Sequence, residues 1–275
     1  VEVGYQRPDG LMLVRNLTEG TRTRVDEVTE PIEPDLLYPL LRGRDVRRWE
    51  AQPSASLLVT RYPGRRERAI PEAEMQTHYP KTYAYFKLFR GTLLGRKDSV
   101  LQRALKAGAP FYAMAAVNDY TFAPWKVVWR EQASRMTAAV VGDQDGKPVI
   151  PDHKLMLVDC SNADEAHYLT AVLNSSPVDL VVQSYTVDTQ MDTHILEHVR
   201  IPRYSPGDPV HARLAALSRQ AHAAAQRGDT ARLRELEGEI DQVAAELWSL
   251  TQDDLREIQR SLRELHAGVD GGEGV

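Results

Sequence analysis

The tetrapeptide Pro206-Gly-Asp-Pro209 divides the chain into two kinds of sequence, and no other feature constrains the fold as much. Two prolines around a glycine continue neither a helix nor a strand. Beyond this break everything reads as helix. An Ala-rich stretch over 210–226 ends at Gly228-Asp229. Residues 230–249 then place Leu233, Leu236, Ile240, Val243 and Leu247 at three- and four-residue steps, the apolar stripe of one helix. Thr251, with Asp254 three residues later, is a capping-box-like start for a last helix bearing Leu255, Ile258, Leu262 and Leu265. Before the break, short strands alternate with helices. Strands are expected over 57–62, 125–130, 137–141, 154–159 and 199–204. Helices are expected over 71–90 (broken at Pro80), over 99–107, and from the Ser161-Asn162 cap to Leu173, with a helical or extended run over 178–187. The fold class expected is α+β: a mixed β-sheet with flanking helices, followed by a C-terminal α-helical hairpin or arm. The corresponding boundaries are a domain over 1–206 with a lead-in segment over 1–35, an arm over 207–267, and a disordered tail over 268–275.

Composition narrows the class further. In 275 residues, 42% hydrophobic and 27% charged side chains are those of a globular protein. No apolar run approaches the ~20 residues that cross a bilayer, and the first residues lack the apolar centre of a signal peptide. The chain has no initiator Met and reads as cut from something longer. A single cysteine, Cys160, forms no internal disulfide, which fits a cytoplasmic protein, and its apolar surroundings predict a buried structural thiol. The formal charge of −5 is unevenly spread. Residues 42–135 carry 18 basic and 8 acidic side chains, whereas the segments on either side are all net acidic. A basic block inside an acidic protein is the footprint of an anionic partner.

That block opens with Pro39-Leu-Leu-Arg-Gly-Arg-Asp-Val-Arg-Arg-Trp49, which sets Arg42, Arg44, Arg47, Arg48 and Trp49 within eight residues. Clustered guanidiniums suit bidentate contacts to phosphates or guanine edges, and an adjacent indole suits stacking. In the strand over 125–130, Trp125, Val127 and Trp129 share one face, and Lys126, Val128 and Arg130 the other. The tryptophans are read as core. Lys126 and Arg130 are the ligand candidates, and Lys154 is read as facing a phosphate or solvent.

Two further patterns have their own chemistry. His194-Ile-Leu-Glu-His198 matches a zinc-peptidase motif, but Pro202 leaves little room for the helix that would bring both histidines together. Asp143, Asp145 and Asp152 with Lys154 echo Mg²⁺-dependent nucleases, although a turn followed by a strand is the preferred reading there. The only Gly-x-Gly lies in the tail, no Gly-Lys-Ser/Thr occurs, and no two prolines are adjacent. No recognisable nucleotide or dinucleotide site follows.

Taken together, the blocks resemble the TaqI-like C-terminal specificity domain of adenine-specific DNA methyltransferases and fused restriction–modification enzymes. The resemblance runs over about residues 30–205. It is carried by Leu37 to Trp49, Tyr79-Pro-Lys-Thr-Tyr83, and Leu93 to Arg96. It continues through Tyr120-Thr-Phe-Ala-Pro-Trp-Lys-Val-Val-Trp-Arg130, Ile150-Pro-Asp-His-Lys-Leu-Met156, Tyr168 to Ser176, and Thr193 to Pro202. The resemblance implies a target-recognition half gripping double-stranded DNA through Arg42, Arg44, Arg47, Arg48, Trp49, Lys126, Arg130 and Lys154. It implies no catalytic residue, metal or cofactor in this chain. S-adenosylmethionine and the Pro-Pro motif for a flipped adenine would belong to an N-terminal methyltransferase domain of the same polypeptide. The setting implied is a cytoplasmic restriction–modification or phage-defence system, without a membrane. Other defence-system proteins, or a second copy docked through the helical arm, are further partners expected. The alternatives are a Mg²⁺-dependent nuclease using Asp145, Asp152 and Lys154, and a helical assembly subunit.

Overall fold

The computed structural model describes residues 1–18, 24–65, 67, 69–185, 191 and 193–270. The chain forms two compact units. One comprises Val1–Leu40, Pro53–Phe122 and Gln144–Ile150, and the other Leu41–Gln52, Ala123–Asp143 and Pro151–Val275.

In the first unit, strands β1 (Glu2–Gln6), β2 (Met12–Arg15) and β3 (Thr29–Ile32) form an antiparallel sheet in that order. Strand β4 (Leu37–Leu41) pairs antiparallel with β7 (Ala55–Leu58), from Leu37 opposite Leu58 to Leu40 opposite Ala55, and carries β10 (Ile150–Pro151) on its other edge. Four short helices follow: α1 (Glu72–His78), α2 (Pro80–Leu88), α3 (Arg90–Leu94) and α4 (Ser99–Lys106). Pro80 opens α2, at a position where its missing N–H has no partner to lose. Glu33 accepts from the Lys81 and Thr82 amides, at 2.9 and 2.7 Å, and so satisfies that helix start. The core gathers Ile32, Leu36, Ile70, Met75, Tyr85, Leu101, Phe111 and Tyr112.

The second unit is built on β8 (Trp125–Arg130), which lies between β11 (Leu155–Cys160) and β9 (Ala139–Val141), both antiparallel to it. A two-strand hairpin, β5 (Val46–Arg47) with β6 (Glu50–Ala51), packs beside it, β5 against β8 and β6 against β9. Five helices complete the unit: α5 (Ala163–Leu173), α6 (Ser176–Tyr185), α7 (Pro209–Gln226), α8 (Thr230–Glu246) and α9 (Gln252–Asp270). Each long helix starts on a local cap. Asn162 Oδ1 accepts from Glu165 N, Asp208 from Val210 N, and Asp229 from Arg232 N, while Thr251 and Asp254 exchange bonds reciprocally. Helix α5 packs against β8 and α7, so Val127, Trp129, Tyr168, Val172, Leu214, Leu236 and Ile240 share one core.

The α+β class, with small sheets, flanking helices and C-terminal helices, is what the structure shows. Several details differ from expectation. The boundary placed near residue 206 falls inside the second unit, where α7 and α8 close over α5. The apolar stripe of α8 finds its partner there. Residues 199–204 form no strand; Pro202 has no amide to give a ladder. Side chains hold the segment instead, with Trp248 Nε1 donating to Arg200 O and Tyr168 Oη to Pro202 O, both at 2.9 Å. Helix α9 continues to Asp270, and the rest of the expected tail lies outside the described residues, as do residues 186 and 187 of the run expected over 178–187, whose earlier part is helical in α6.

Candidate nucleic-acid interface

The arginine-rich segment belongs to the second unit. It begins with a 3₁₀ turn at Gly43–Asp45, in which Asp45 Oδ2 accepts from the Arg42 amide at 2.8 Å and lies 3.6 Å from Arg42 Nε. Arg42 thus holds the turn that precedes the hairpin. In the hairpin, Val46 opposes Ala51 and Arg47 opposes Glu50, leaving Arg48 and Trp49 as the two turn residues. Trp49 has φ +67, unusual for a bulky side chain. Its neighbours hold it there. The indole is fully buried, its Nε1 donates to Glu237 Oε1 on α8 at 2.8 Å, and its amide donates to Ala138 O at 3.2 Å.

Arg48 is committed to the same anchor. Its guanidinium donates to Glu237 Oε1, to Met136 O at 3.2 Å, and to both oxygens of Asn174. Burial alone would raise the pKa of Glu237. The charge of Arg48 and the Trp49 hydrogen bond outweigh it and hold the carboxyl below the usual range. Trp49 and Arg48, expected to touch DNA, are therefore occupied within the protein. The indole has no free face for a base, and the guanidinium has no free edge for a phosphate.

Pinning the turn in this way turns its other arginines outward. Arg44 and Arg47 are exposed, the latter by alternation with buried Val46. Arg130, at the open end of β8, is exposed too, and β5 packs against that strand. Among the described residues, no carboxylate forms an ion pair with Arg44, Arg47 or Arg130. Lys154 comes close to the same turn: a Cβ on Gly43 would sit 3.3 Å from Lys154 Cβ. The absence of a side chain at Gly43 is what permits this approach. The Lys154 ammonium is half exposed and 3.5 Å from Glu131 Oε2. Lys154 O accepts from Glu131 N at 3.0 Å, which ties the start of β11 to the end of β8 beside Arg130. Arg44, Arg47, Arg130 and Lys154 thus belong to one neighbourhood of the second unit.

Lys126 does not join them. It is 1% exposed, its Nζ donates to Ala123 O, and burial pushes its pKa down to about 8 despite Asp143 and Asp159. The face of β8 that alternation marked as polar is covered, as fully buried Val128 on the same face confirms. A central strand closed on both sides does not obey the exposed-face rule. Cys160 is buried as expected, its thiol pushed up to about 12 by burial, with Glu165 and Asp159 adding to the effect.

The other patterns resolve into structure. Thr193–His198 is a 3₁₀ helix, in which residues three apart eclipse, so the two histidines four apart share no face. His198 stacks on Tyr185 with ring centroids 3.9 Å apart. Asp152 Oδ1 accepts from the Lys154 amide at 2.8 Å, a turn contact, and Asp145 takes φ +52 in the tight turn before Gly146. Among the described residues, no group of three His, Cys, Asp or Glu side chains can hold a metal ion. No described helix is long and apolar enough to cross a membrane.

The strand-to-helix turn from β11 into α5 is held by its own side chains. Glu165 and Asn162 accept from the Ser161 and Glu165 amides there, at 2.6 and 2.9 Å. Two residues that shape the site gave no sequence signal. Glu237 lies among the charges of α8, and Asn174, fully buried, closes α5 in a stretch that reads only as a helix stop.

No protein-family model matches the chain. It is 26% identical over 148 residues to the type II methyltransferase M.NspV of Nostoc sp., a match covering 53% of this chain and 28% of that protein. Its fold is similar to that of the type IIL restriction–modification enzyme MmeI, solved in complex with DNA. The TM-score is 0.55 at 9% identity, covering 86% of this chain and 31% of the other. The chain spans less than a third of the length of either protein. It is therefore related in sequence to part of a type II methyltransferase, and it is similar in fold to part of a restriction–modification enzyme.

Proposed function

We propose that this chain is the DNA target-recognition part of an adenine-specific, S-adenosylmethionine-dependent DNA methyltransferase of the TaqI-like kind. Its catalytic domain lies in another part of the polypeptide, and the whole serves a cytoplasmic restriction–modification or phage-defence system. The observation that carries this reading is the set Arg44, Arg47, Arg130 and Lys154, brought together on an anchored hairpin and the neighbouring strand ends. A fold similar to that of an enzyme solved on DNA supports it. In this role most of the four contact phosphates and set the register, while an arginine of the hairpin reads a guanine edge through paired N–H donors. The chain supplies no methyl-transfer chemistry of its own. It presents duplex DNA to the catalytic half, which receives the flipped base.

Titration of labelled duplex DNA at rising salt tests the reading. Log K is expected to fall linearly with log salt, by roughly 0.9 per phosphate neutralised. The double variant Arg44→Ala/Arg47→Ala is expected to flatten that line by the equivalent of about two phosphates. Weak binding indifferent to salt would overturn the proposal.

A further inference from the structure

The first unit carries a cationic surface of its own, distinct from the residues assigned above. Lys81, Lys87, Arg90, Lys97, Arg103 and Lys106 all lie on or between α2, α3 and α4, and all are exposed. Four carboxylates near them are engaged elsewhere. Glu33 accepts from the first amides of α2 and from the Thr82 hydroxyl, and Glu72 accepts from the Tyr83 hydroxyl. Glu74 pairs with Arg65, and Asp98 caps α4 by accepting from Leu101 N at 2.7 Å. Among the described residues, none of the six cations forms an ion pair with a carboxylate.

Their placement is set by the fold. In α4, Leu101 is buried while Arg103 and Lys106 share the outer face one turn apart. Lys87 lies over the Tyr83 ring and Arg90 over Phe111, at 5.9 and 4.7 Å from the ring centroids, which orders their stems without neutralising their charge. Arg96, the half-buried member of this series, instead donates to Leu93 O and Phe111 O, at 2.7 and 2.9 Å, and fixes the link between α3 and α4.

We infer that this face of α2–α4 is a second contact for the DNA phosphate backbone, one that holds the duplex without reading its sequence. The inference rests on the reading of the chain as a DNA-binding part. Lysines are depleted from protein–protein interfaces, and four of these six cations are lysines. The four lysines of the set present compact ammonium groups that match an array of phosphates and lack the fixed planar forks that distinguish bases.

The test uses the full chain and a duplex of mixed sequence, with log K measured against log salt. The variant Lys87→Gln/Arg103→Gln/Lys106→Gln keeps good helix formers on an exposed surface. Its line is expected to be shallower than that of the wild type by roughly 0.9 for each phosphate no longer neutralised, equally on unrelated duplexes. Lys87→Arg/Lys106→Arg, which retains the charge, is expected to keep the wild-type slope. An unchanged slope in the glutamine variant overturns the inference while leaving the proposed function intact. Wild-type binding that ignores salt overturns both. If the glutamine variant instead loses adhesion to anionic vesicles and its DNA slope is unchanged, the surface serves a membrane and the inference fails.

Discussion

Arg48 and Glu237, separated by 189 positions in the chain, form an ion pair that Trp49 completes by donating to the same carboxylate oxygen. The side chains are only 17% and 25% exposed, so the pair is worth more than a surface contact, and each partner depends on the other. Glu237→Gln keeps an acceptor for both donors and is expected to cost about 1 kcal/mol. Glu237→Leu leaves the guanidinium without its counter-charge and is expected to cost on the order of 3 kcal/mol in a denaturant titration. Because the native carboxyl is held below its usual range, its contribution is complete above the unfolded pKa and is lost as pH falls through the lower folded value. The glutamine variant should lack that portion of the acid response.

Gly142 tests the packing at the edge of the central sheet. A Cβ there would lie 2.8 Å from the Trp125 ring, closer than real atoms approach, and the indole is half-buried against the core of the second unit. Gly142→Ala is expected to cost about 1–3 kcal/mol through overpacking. Gly207→Ala, with nothing within 4 Å of the added carbon, is the matched control and should leave Tm nearly unchanged. Equal Tm values for the two variants would show that Trp125 moves aside freely.

The helices of the second unit were readable because their signals are local. Asn162, Asp208, Asp229 and Thr251 each cap within three residues, and the Leu236–Ile240–Val243 stripe is buried as its spacing requires. The site was only half readable. Arg44 and Arg47 are as exposed as a charged run suggests. The fates of Arg48 and Trp49 were decided by Glu237, which no nearby residue announces. Lys126 misled for a related reason. Alternation along β8 marks a polar face, but whether that face meets solvent depends on segments that arrive from elsewhere in the chain. The strand expected over 199–204 shows the same limit: β-branched residues around a proline match the strand pattern, yet no neighbouring edge pairs with them.

A pair of packed histidines is expected to make the second unit acid-sensitive. His167 and His222 meet edge to face with centroids 5.0 Å apart. The Val140 amide donates to His222 Nε2 at 3.0 Å, which leaves Nδ1 to donate to Ser218 O at 2.8 Å and keeps the ring neutral. Burial, with His222 and Arg219 adding to it, pushes His167 down to about 3, and burial pushes His222 down to about 4. Both folded values lie below the unfolded one, so the unfolded chain takes up protons first. Stability is therefore full above about pH 6.5 and declines as pH falls towards these folded values. Denaturation midpoints measured from about pH 7 to about pH 4 should drop, and His167→Phe should reduce the steepness by about one proton. A flat profile in the wild type would show that the pair is not held neutral.

Arg47 and Arg48 are adjacent, and their expected phenotypes are opposite. The side chain of Arg47 is exposed on the hairpin and engages no carboxylate among the described residues. Arg47→Ala is expected to leave stability within about 0.5 kcal/mol of wild type while flattening the salt dependence of DNA binding by the equivalent of about one phosphate. Arg48→Ala removes the donors to Glu237, Met136 O and Asn174, and it strands a part-buried carboxylate beside the Trp49 indole. Stability is expected to fall on the order of 3 kcal/mol. Below the shifted melting transition, the remaining folded protein loses the fixed turn that projects Arg47, so its DNA affinity drops at every salt concentration. A folded Arg48→Ala protein with unchanged Tm and a DNA slope reduced like that of Arg47→Ala would mean that Arg48 leaves its anchor to reach the phosphates.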